Sequence, residues 1–262
     1  MKKLLTLALL LLPVTVSAQQ QGVILFDRQV QYGFEVPEDL KNRPQLKEML
    51  DAMPPAHFAS LLLLFDESAS LLTPVPEPEP EVAVSDAPRA AGLVMRLKMG
   101  SSSRSDQEEF LDTYVRYEDG MIAETRDFMT RQFLLTGTRP AYQWKLTGEQ
   151  SEFLGYAVQK ATAVQDSSMI EAWFTPEIPV PAGPGPYGGL PGMILSVSVN
   201  DGQTLYSATE VKLETVDASA IKAPVDGDQV SHEEYEKIVA EKLEEIKMRQ
   251  RRRGGGDRGG LG

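Results

Sequence analysis

Met193–Val216, MILSVSVNDGQTLYSATEVKLETV, is the stretch that decides the fold. In its first half Leu195, Val197 and Val199 alternate with small or polar residues, as in a strand with one buried face. Asn200-Asp201-Gly202 supplies turn residues, and the second half returns as another strand. The stretch therefore predicts a β-hairpin and, with it, antiparallel pairing.

Short strand patterns separated by turns continue on the N-terminal side of this hairpin, with no long helix between them. Glu118-Asp119-Gly120 indicates the turn of a second hairpin, in which glycine supplies a positive φ. The apolar run Leu61–Phe65 fits either a buried strand or a short helix, because periodicity alone does not separate the two. Residues 19–222 are thus predicted to form one mainly β domain, an antiparallel sheet curved into a half-barrel or an open barrel.

A single strong helical pattern follows over residues 231–250. Ser231 and Glu234 have the spacing of a capping box, which marks the start of a helix. One stripe at helical spacing is apolar, and it consists of Tyr235, Val239, Leu243 and Ile246. We expect a C-terminal amphipathic α-helix, followed over residues 251–262 by a flexible Gly/Arg tail, since glycine at that density forms no ordered structure.

The N-terminus has the pattern of a secretory signal peptide. Lys2 and Lys3 precede an apolar stretch that is too short to span a bilayer, and Val16-Ser17-Ala18 ends in a small-x-small cleavage pattern. We expect residues 1–18 to be removed after Ala18 and the protein to be periplasmic or secreted; an uncleaved anchor is the less favoured alternative. Because the chain has no cysteine, a lipid-anchored lipoprotein, disulfides and thiolate metal sites are excluded.

The charge distribution restricts the partners. The formal charge of −12 becomes −14 without Lys2 and Lys3, which disfavours nucleic-acid binding over most of the surface. Residues 73–92 carry five prolines and predict an exposed, semi-rigid acidic loop. The C-terminal end reverses the sign of the charge, which fits either a solvated helix end or weak electrostatic contact with an anionic membrane, through Arg249, Arg251, Arg252 and Arg253.

No pattern in the sequence predicts a cofactor, a metal site or a catalytic residue. His57 and His232 lie in different elements without nearby partners for a catalytic triad or a zinc site. The glycine-rich GPGPYGG, residues 183–189, is not followed by the lysine and helix of a phosphate-binding loop. Carboxylates are numerous, but their spacing singles out no pair.

Residues around the Pro/Gly-rich segment resemble the GLPGLI family of secreted proteins from Bacteroidetes-type bacteria. The motif stands here as Gly189-Leu190-Pro191-Gly192-Met193-Ile194, with methionine in place of one leucine. Trp173-Phe174, the step Thr175–Pro179 and Gly155–Ala163 also match, although Ala157-Val158 stands where the family often has a cysteine. The resemblance implies export and a β-rich domain; the family name is a sequence label and implies no chemistry.

Four residues around this segment form the candidate ligand groove: Trp173, Glu177, Tyr187 and Leu190. These side chains could instead simply cover one end of the β core; as a groove they would take an apolar or glycan ligand. We expect an exported, non-enzymatic binding or carrier module for an apolar ligand or a partner protein of the cell envelope. The alternative is a secreted hydrolase that uses a carboxylate pair on glycan or peptide.

Overall fold

A computed structural model describes residues 20–33, 56–76 and 108–255. The strands are β1 (Gly22–Gln31), β2 (Ala56–Phe65), β3 (Ala69–Pro74), β4 (Glu108–Arg116), β5 (Met121–Phe128), β6 (Arg131–Thr138), β7 (Lys145–Phe153), β8 (Tyr156–Gln165), β9 (Ser168–Thr175), β10 (Met193–Val199), β11 (Thr204–Lys212) and β12 (Asp228–Val230). A short 3-10 helix spans Ala218–Ala220, and the α-helix α1 spans His232–Gly255.

Within these residues the twelve strands form one sheet, in the order β12-β6-β5-β4-β3-β2-β1-β11-β10-β9-β8-β7. Neighbours are antiparallel except β12, which runs parallel to β6. The order ends in two free edges, β12 and β7, so the sheet is open. The predicted mainly β fold, with an open antiparallel sheet and a C-terminal helix, is confirmed.

One face of the sheet carries the main core, and we call it the inner face. In β2, Leu61, Leu63 and Phe65 are almost fully buried, whereas the leucines between them are half-buried. The ambiguous run is therefore a strand. Leu63 lies directly opposite Ile24 in β1, and residues directly opposite each other in an antiparallel pair share a face.

The same register extends the inner face across the sheet to two charged positions. Stepwise pairing joins Ile24 to Glu124 in β5 through β2, β3 and β4. On the other side, Arg28 in β1 lies opposite Tyr206 in β11. The inner face thus includes polar side chains as well as the apolar core.

The sheet curves strongly towards its inner face. Glu124 and Tyr206 are five strands apart, which corresponds to about 24 Å along a flat sheet. Tyr142 follows β6, the neighbour of β5, yet its ring stacks on that of Tyr187, which in turn contacts Tyr206 of β11. Only a curved sheet brings the β5–β6 side and β11 towards the same residues.

The turns follow from the residues that occupy them. Asn200, Asp201 and Gly202 have φ of 49°, 53° and 87° in the four-residue loop between Val199 and Thr204, the left-handed conformation that Asn, Asp and Gly tolerate. Asp166 and Ser167 do the same between β8 and β9. Between β4 and β5 the Asp119 carboxylate accepts hydrogen bonds from Arg116 and from the backbone N–H of Met121.

α1 is capped as the sequence predicts. The backbone N–H of Glu234 donates to Ser231 Oγ at 3.1 Å, and the N–H of Ser231 donates to Glu234 Oε2 at 3.0 Å. Tyr235 and Val239 are buried against Phe128 and Phe133, which form a second, smaller core. Helical structure reaches Gly255, beyond the expected end at residue 250, because arginine is a good helix former.

Several expectations lie outside the described residues. These are the signal peptide of residues 1–18, most of the Pro-rich loop of residues 73–92, the side chains of Arg252 and Arg253, and the tail beyond residue 255.

Candidate functional site

The Pro/Gly-rich segment, residues 176–192, joins the neighbouring strands β9 and β10 and packs on the main core. The N–H of Val180 donates to the carbonyl of Ile178, and that of Ala182 donates to the carbonyl of Val180, both at 2.8 Å. These are two consecutive γ-turns centred on prolines, whose fixed φ suits the inverse γ-turn. The alternation turns Ile178, Val180 and Ala182 into the core and leaves Pro179 exposed.

Glycines are required where this segment approaches other backbone. A Cβ at Gly192 would lie 2.1 Å from the carbonyl oxygen of Thr175, and one at Gly183 would lie 2.8 Å from that of Tyr187. At Gly188 a Cβ would lie 2.5 Å from the Arg139 guanidinium. Gly183, Gly188 and Gly192 therefore have a structural reason, which is close packing, whereas Gly189 is favoured by its positive φ of 85°.

Two residues of the β6–β7 connection hold the segment in place. Trp144 Nε1 donates a hydrogen bond to the carbonyl of Gly188 at 3.0 Å, and Arg139 Nη1 donates to that of Pro181 at 3.3 Å. Burial lowers the pKa of Arg139 from its ordinary value, although the tyrosines beside it oppose this shift. The connection and the segment thus form one packed unit above the inner face.

Aromatic rings form a continuous row along this unit. The ring centroids of Trp144 and Tyr142 are 5.3 Å apart, those of Tyr142 and Tyr187 are 5.6 Å apart and stacked, and those of Tyr187 and Tyr206 are 5.9 Å apart. The Arg28 guanidinium lies over Tyr206, 5.8 Å from its ring centroid. Trp144, Tyr142 and Tyr187 are half-buried and Tyr206 is buried, so the row runs from the surface into the core.

A buried ion pair lies nearby on the inner face of β5. Glu124, 1% exposed, accepts a hydrogen bond on Oε2 from Arg126 Nη2 at 2.8 Å, and His232 Nε2 lies 3.3 Å from the same oxygen. Glu124 Oε1 is buried and has no hydrogen-bond partner. Burial opposes ionisation of Glu124, but the charge of Arg126 and the hydrogen bond from His232 outweigh it and hold its pKa below the ordinary value.

The four predicted groove residues do not share one surface. Leu190 is buried in the main core, against which the half-buried Trp173 and Tyr187 also pack. Glu177 is exposed, and its Oε1 accepts a hydrogen bond from the N–H of Ala157 at 2.8 Å. Tyr187 belongs to the aromatic row, whereas Trp173 lies beside Lys160, whose Nζ is 6.0 Å from its ring centroid. A ligand groove at these four positions stays a prediction.

A separate cleft of about 300 Å³ lies between α1 and the β5–β6 turn. Its lining is largely apolar, with charged side chains at the rim, and comprises Phe128, Met129, Thr130, Arg131, Phe133, Ile238, Lys242, Glu245, Ile246 and Arg249. The apolar stripe of α1 is buried as far as Val239, whereas Leu243 and Ile246 are only half-buried. The cleft thus forms where the helix is no longer covered by the sheet.

Sequence reasoning missed the buried charges. Glu124 and Arg126 are separated by one residue in a strand, and such alternation is also typical of a solvated face. One signal was available: Ile122 and Phe128 alternate in step with Glu124 and Arg126, so all four lie on the same face of β5. The face that carries the charges is therefore also the apolar face. His232, for which the sequence offers no nearby partner, contacts Glu124 in the folded protein.

Two further features concern the described part of the chain. Among its residues, no group of three or more His, Cys, Asp and Glu side chains is placed to hold a metal ion. No helix there combines the length and apolar character needed to cross a bilayer.

Comparison with known proteins gives a short family match. A family model described as "Protein of unknown function (Porph_ging)" matches residues 162–196, from β8 to β10, and so includes the whole Pro/Gly-rich segment. Among curated proteins no significant match is found.

Two solved structures resemble the fold, both of PNGF-II, in P21 and C2 crystals. They share 15% sequence identity with the chain, with TM-scores of 0.49 and 0.46 over 84% and 82% of its length. The chain spans about a third of the length of these proteins, 33% and 32%.

Proposed function

We propose that the protein is an exported, non-enzymatic binding module that holds an apolar ligand in the cleft between α1 and the β5–β6 turn. The observation that supports this is the cleft itself. Phe128, Ile238 and Ile246 contribute to an apolar lining, and Met129 beside them is 43% exposed. Its volume lies at the lower end of the range of small-molecule sites, about 300–1,000 Å³.

The rim favours a ligand with an acidic end. Lys242, Arg249 and Arg131 are cationic, whereas Glu245 is the one acidic residue among those that line the cleft. Glu245 binds Lys242 at 2.8 Å and Arg249 at 3.1 Å, and Arg131 binds Asp228 at 2.7 Å, so the three cations face two carboxylates. The cationic excess stands out on an acidic protein, so a fatty-acid-like ligand, with an acyl chain in the cleft and a carboxylate at the rim, fits best.

Export and family membership are part of the proposal. The signal pattern of residues 1–18 supports cleavage after Ala18 and a periplasmic or secreted location. The Porph_ging match contains the GLPGMI stretch, which supports assignment to the GLPGLI family. The mass of the protein purified from a bacterial periplasmic fraction tests cleavage: we expect a chain that begins at Gln19, and an intact N-terminus in the membrane fraction would contradict export in this form.

Ligand binding is tested with a dansyl-labelled undecanoate, whose fluorescence rises in an apolar site. We expect saturable binding to the wild type and a loss of about tenfold or more in affinity for Ile246→Glu, which places a charge in the cleft at a cost of at least ~1.4 kcal/mol. Val164→Glu, at a 68% exposed apolar residue of β8, is the matched control. Absence of saturable binding, or equal binding by both variants, would overturn the proposal.

One observation favours the hydrolase alternative. Glu109 lies directly opposite Asp127 in the β4–β5 pair, and burial together with the Glu109 charge raises the pKa of Asp127. A carboxyl with a raised pKa beside a second carboxylate is the pairing that glycoside hydrolysis uses. If this pair is catalytic, the protein releases reducing ends from oligosaccharides and Asp127→Asn abolishes the release; an inactive wild type excludes this function.

A further inference from the structure

The last part of α1 carries a concentration of positive charge on an acidic protein. Glu245 is the last acidic residue of the helix, and the next carboxylate in the sequence is that of Asp257. Five cations and no carboxylate give residues 246–255, which we call the basic end, a formal charge of +5, against −12 for the whole chain. These cations are Lys247, Arg249, Arg251, Arg252 and Arg253.

The cations of the basic end are open to solvent wherever the structure describes their side chains. The Arg249 side chain is 66% exposed, that of Lys247 is 44% exposed, and Arg251 is exposed. Lys247 binds Glu244 at 2.7 Å, and Arg249 binds Glu245 at 3.1 Å. Because ion pairs between exposed side chains are weak and are screened by salt, an anionic surface can compete with these glutamates for their cations.

The acidic residues of α1 do not cancel the charge at its tip. Since an α-helix rises about 1.5 Å per residue, Arg251 is about 9 Å along the axis from Glu245 and about 15 Å from Glu241. At physiological ionic strength charges are screened over about 8 Å. The β5–β6 turn, which lies beside Arg249, contributes Arg131 and no carboxylate of its own. An anionic surface that touches the basic end thus meets mainly positive charge.

Exposed apolar side chains accompany these cations. Met248, which stands between Lys247 and Arg249 in the sequence, is 57% exposed, and Met129 of the neighbouring β5–β6 turn is 43% exposed. Helices that lie on a membrane surface combine cationic side chains with apolar ones that enter the boundary between the headgroups and the acyl chains. The charge and the methionines together therefore match an anionic lipid surface.

We propose that the basic end docks the protein on a bilayer rich in anionic phospholipid. Its cations bind the lipid phosphates, and Met248 enters the boundary between headgroups and acyl chains. Docking in this way places the mouth of the cleft, with Arg249 among its lining residues, close to the bilayer. The proposal does not rest on the apolar-ligand function, since Lys247, Met248 and Arg251 do not line the cleft.

Other occupants use less of the basic end. A nucleic acid needs a larger basic footprint than one helix end on an acidic protein. An acidic polypeptide, or the acidic first turn of α1 in a second copy, would match the charge but would leave the exposed Met248 without an apolar partner. Each of these occupants gives a different result from a bilayer in the tests that follow.

The first test is cosedimentation of the chain from Gln19 to Gly262 with lipid vesicles in low salt. We expect saturable binding to vesicles of phosphatidylglycerol and phosphatidylcholine, none to phosphatidylcholine alone, and release in about 1 M salt, where charges are screened over about 3 Å. Equal binding to both kinds of vesicle, or binding to neither, would overturn the proposal. Tighter binding to soluble poly-glutamate, or a dimer that the vesicles do not bind, would assign the basic end to an acidic polypeptide or to a second copy and overturn it as well.

Charge variants then locate the contact. Arg251→Gln, Arg252→Gln and Arg253→Gln, made together, retain good helix formers and remove three positive charges. Each of these charges contributes about fivefold to binding of an anionic surface, so the affinity for anionic vesicles should fall by about a hundredfold.

The matched control changes the net charge equally at exposed lysines elsewhere on the protein. It combines Lys145→Gln, Lys222→Gln and Lys237→Gln. We expect it to stay within about threefold of the wild type, because these positions lie outside the basic end. Circular dichroism establishes that α1 is intact in both triple variants. Equal affinities of the two would show that only net charge matters and would overturn the docking site.

A fluorescent probe shows which part of the protein meets the lipid. Because the chain has no cysteine, one introduced cysteine carries a single dye. A nitrobenzoxadiazole dye on Met248→Cys should brighten on anionic vesicles, whereas on Met169→Cys, at a 51% exposed residue of β9, its emission should not change. No response of the Met248→Cys probe, or an equal response of both, would place the contact elsewhere and overturn the assignment.

Discussion

Gly192 offers a sharp test of the packing that holds the Pro/Gly-rich segment on the sheet. Replacement by alanine would place a Cβ 2.1 Å from the carbonyl oxygen and 2.7 Å from the carbonyl carbon of Thr175. Both are backbone atoms of β9, and Thr175 is held in the ladder opposite Met193. The overlap can be relieved only by displacing β9 from β10, since no side-chain rotation moves these atoms.

The expected cost has two parts. Forcing extra atoms into a packed site costs about 1–3 kcal/mol, and holding a non-glycine residue at an unfavourable φ costs about 1–3 kcal/mol more; the φ of Gly192 is 153°. Gly192→Ala should therefore lower the free energy of unfolding by about 2–6 kcal/mol. For a domain of this size that corresponds to a decrease in Tm of at least about 4 °C.

Gly185→Ala is the matched control in the same segment. Gly185 has φ of 64°, but a Cβ there would meet no atom within 4 Å. Only the left-handed backbone then opposes alanine, at about 1–2 kcal/mol.

Urea unfolding followed by tryptophan fluorescence measures both variants, because Trp144 contacts Gly188 and Trp173 lies in β9. An unchanged m-value shows that the unfolded states are comparable. If Gly192→Ala is no less stable than Gly185→Ala, close approach to Thr175 is not the reason for glycine at this position.

Three further predictions concern charges and the helix cap. Glu124→Gln should lower the free energy of unfolding at pH 7 by about 1–3 kcal/mol. Because the folded-state pKa of Glu124 is lowered, urea unfolding of the wild type should show this contribution being lost as the pH falls below ~4.3, whereas the variant should show no such loss. Asp127→Asn should stabilise the fold at pH 7 by about 0.2–1 kcal/mol, since it removes repulsion from Glu109. Because the pKa of Asp127 is raised, its carboxyl is protonated in acid, and the difference in stability between wild type and variant should then disappear; a variant less stable than the wild type at pH 7 would contradict the repulsion. Ser231→Ala should cost about 1 kcal/mol and reduce helical circular dichroism, because the N–H of Glu234 loses its acceptor, whereas Ser219→Ala in the short 3-10 helix should leave the helical signal unchanged.

Local pairing was predictable because local residues specify it. Asn200-Asp201-Gly202 determines the β10–β11 hairpin, and Ser231 with Glu234 determines where α1 starts. The neighbours of β1 were not predictable, since one of them, β11, is distant in sequence. Hairpin signals act over a few residues, whereas the choice among distant strands depends on the summed burial of the whole inner face.

The buried charges were unpredictable for a related reason. A strand with Glu124 and Arg126 on one face gives the same sequence pattern whether that face is solvated or covered. What covers it is the curvature of the sheet and the start of α1, where His232 reaches Glu124. Burial of a charge is therefore a property of the packed layers, and the strand sequence alone does not contain it.

The sheet formed by the described residues ends in two edges, β7 and β12, and both bear on how the protein contacts other molecules. β7 is exposed along almost its whole length, but its register shifts between Leu146 and Gln150, and the N–H of Glu149 is bound by Thr147 Oγ1 within the bulge. β12 is only three residues long and leads directly into α1. Bulges, charges and short edge strands oppose the addition of a further strand. Pairing of a further strand with either of these edges is thus an unfavourable way to bind this protein.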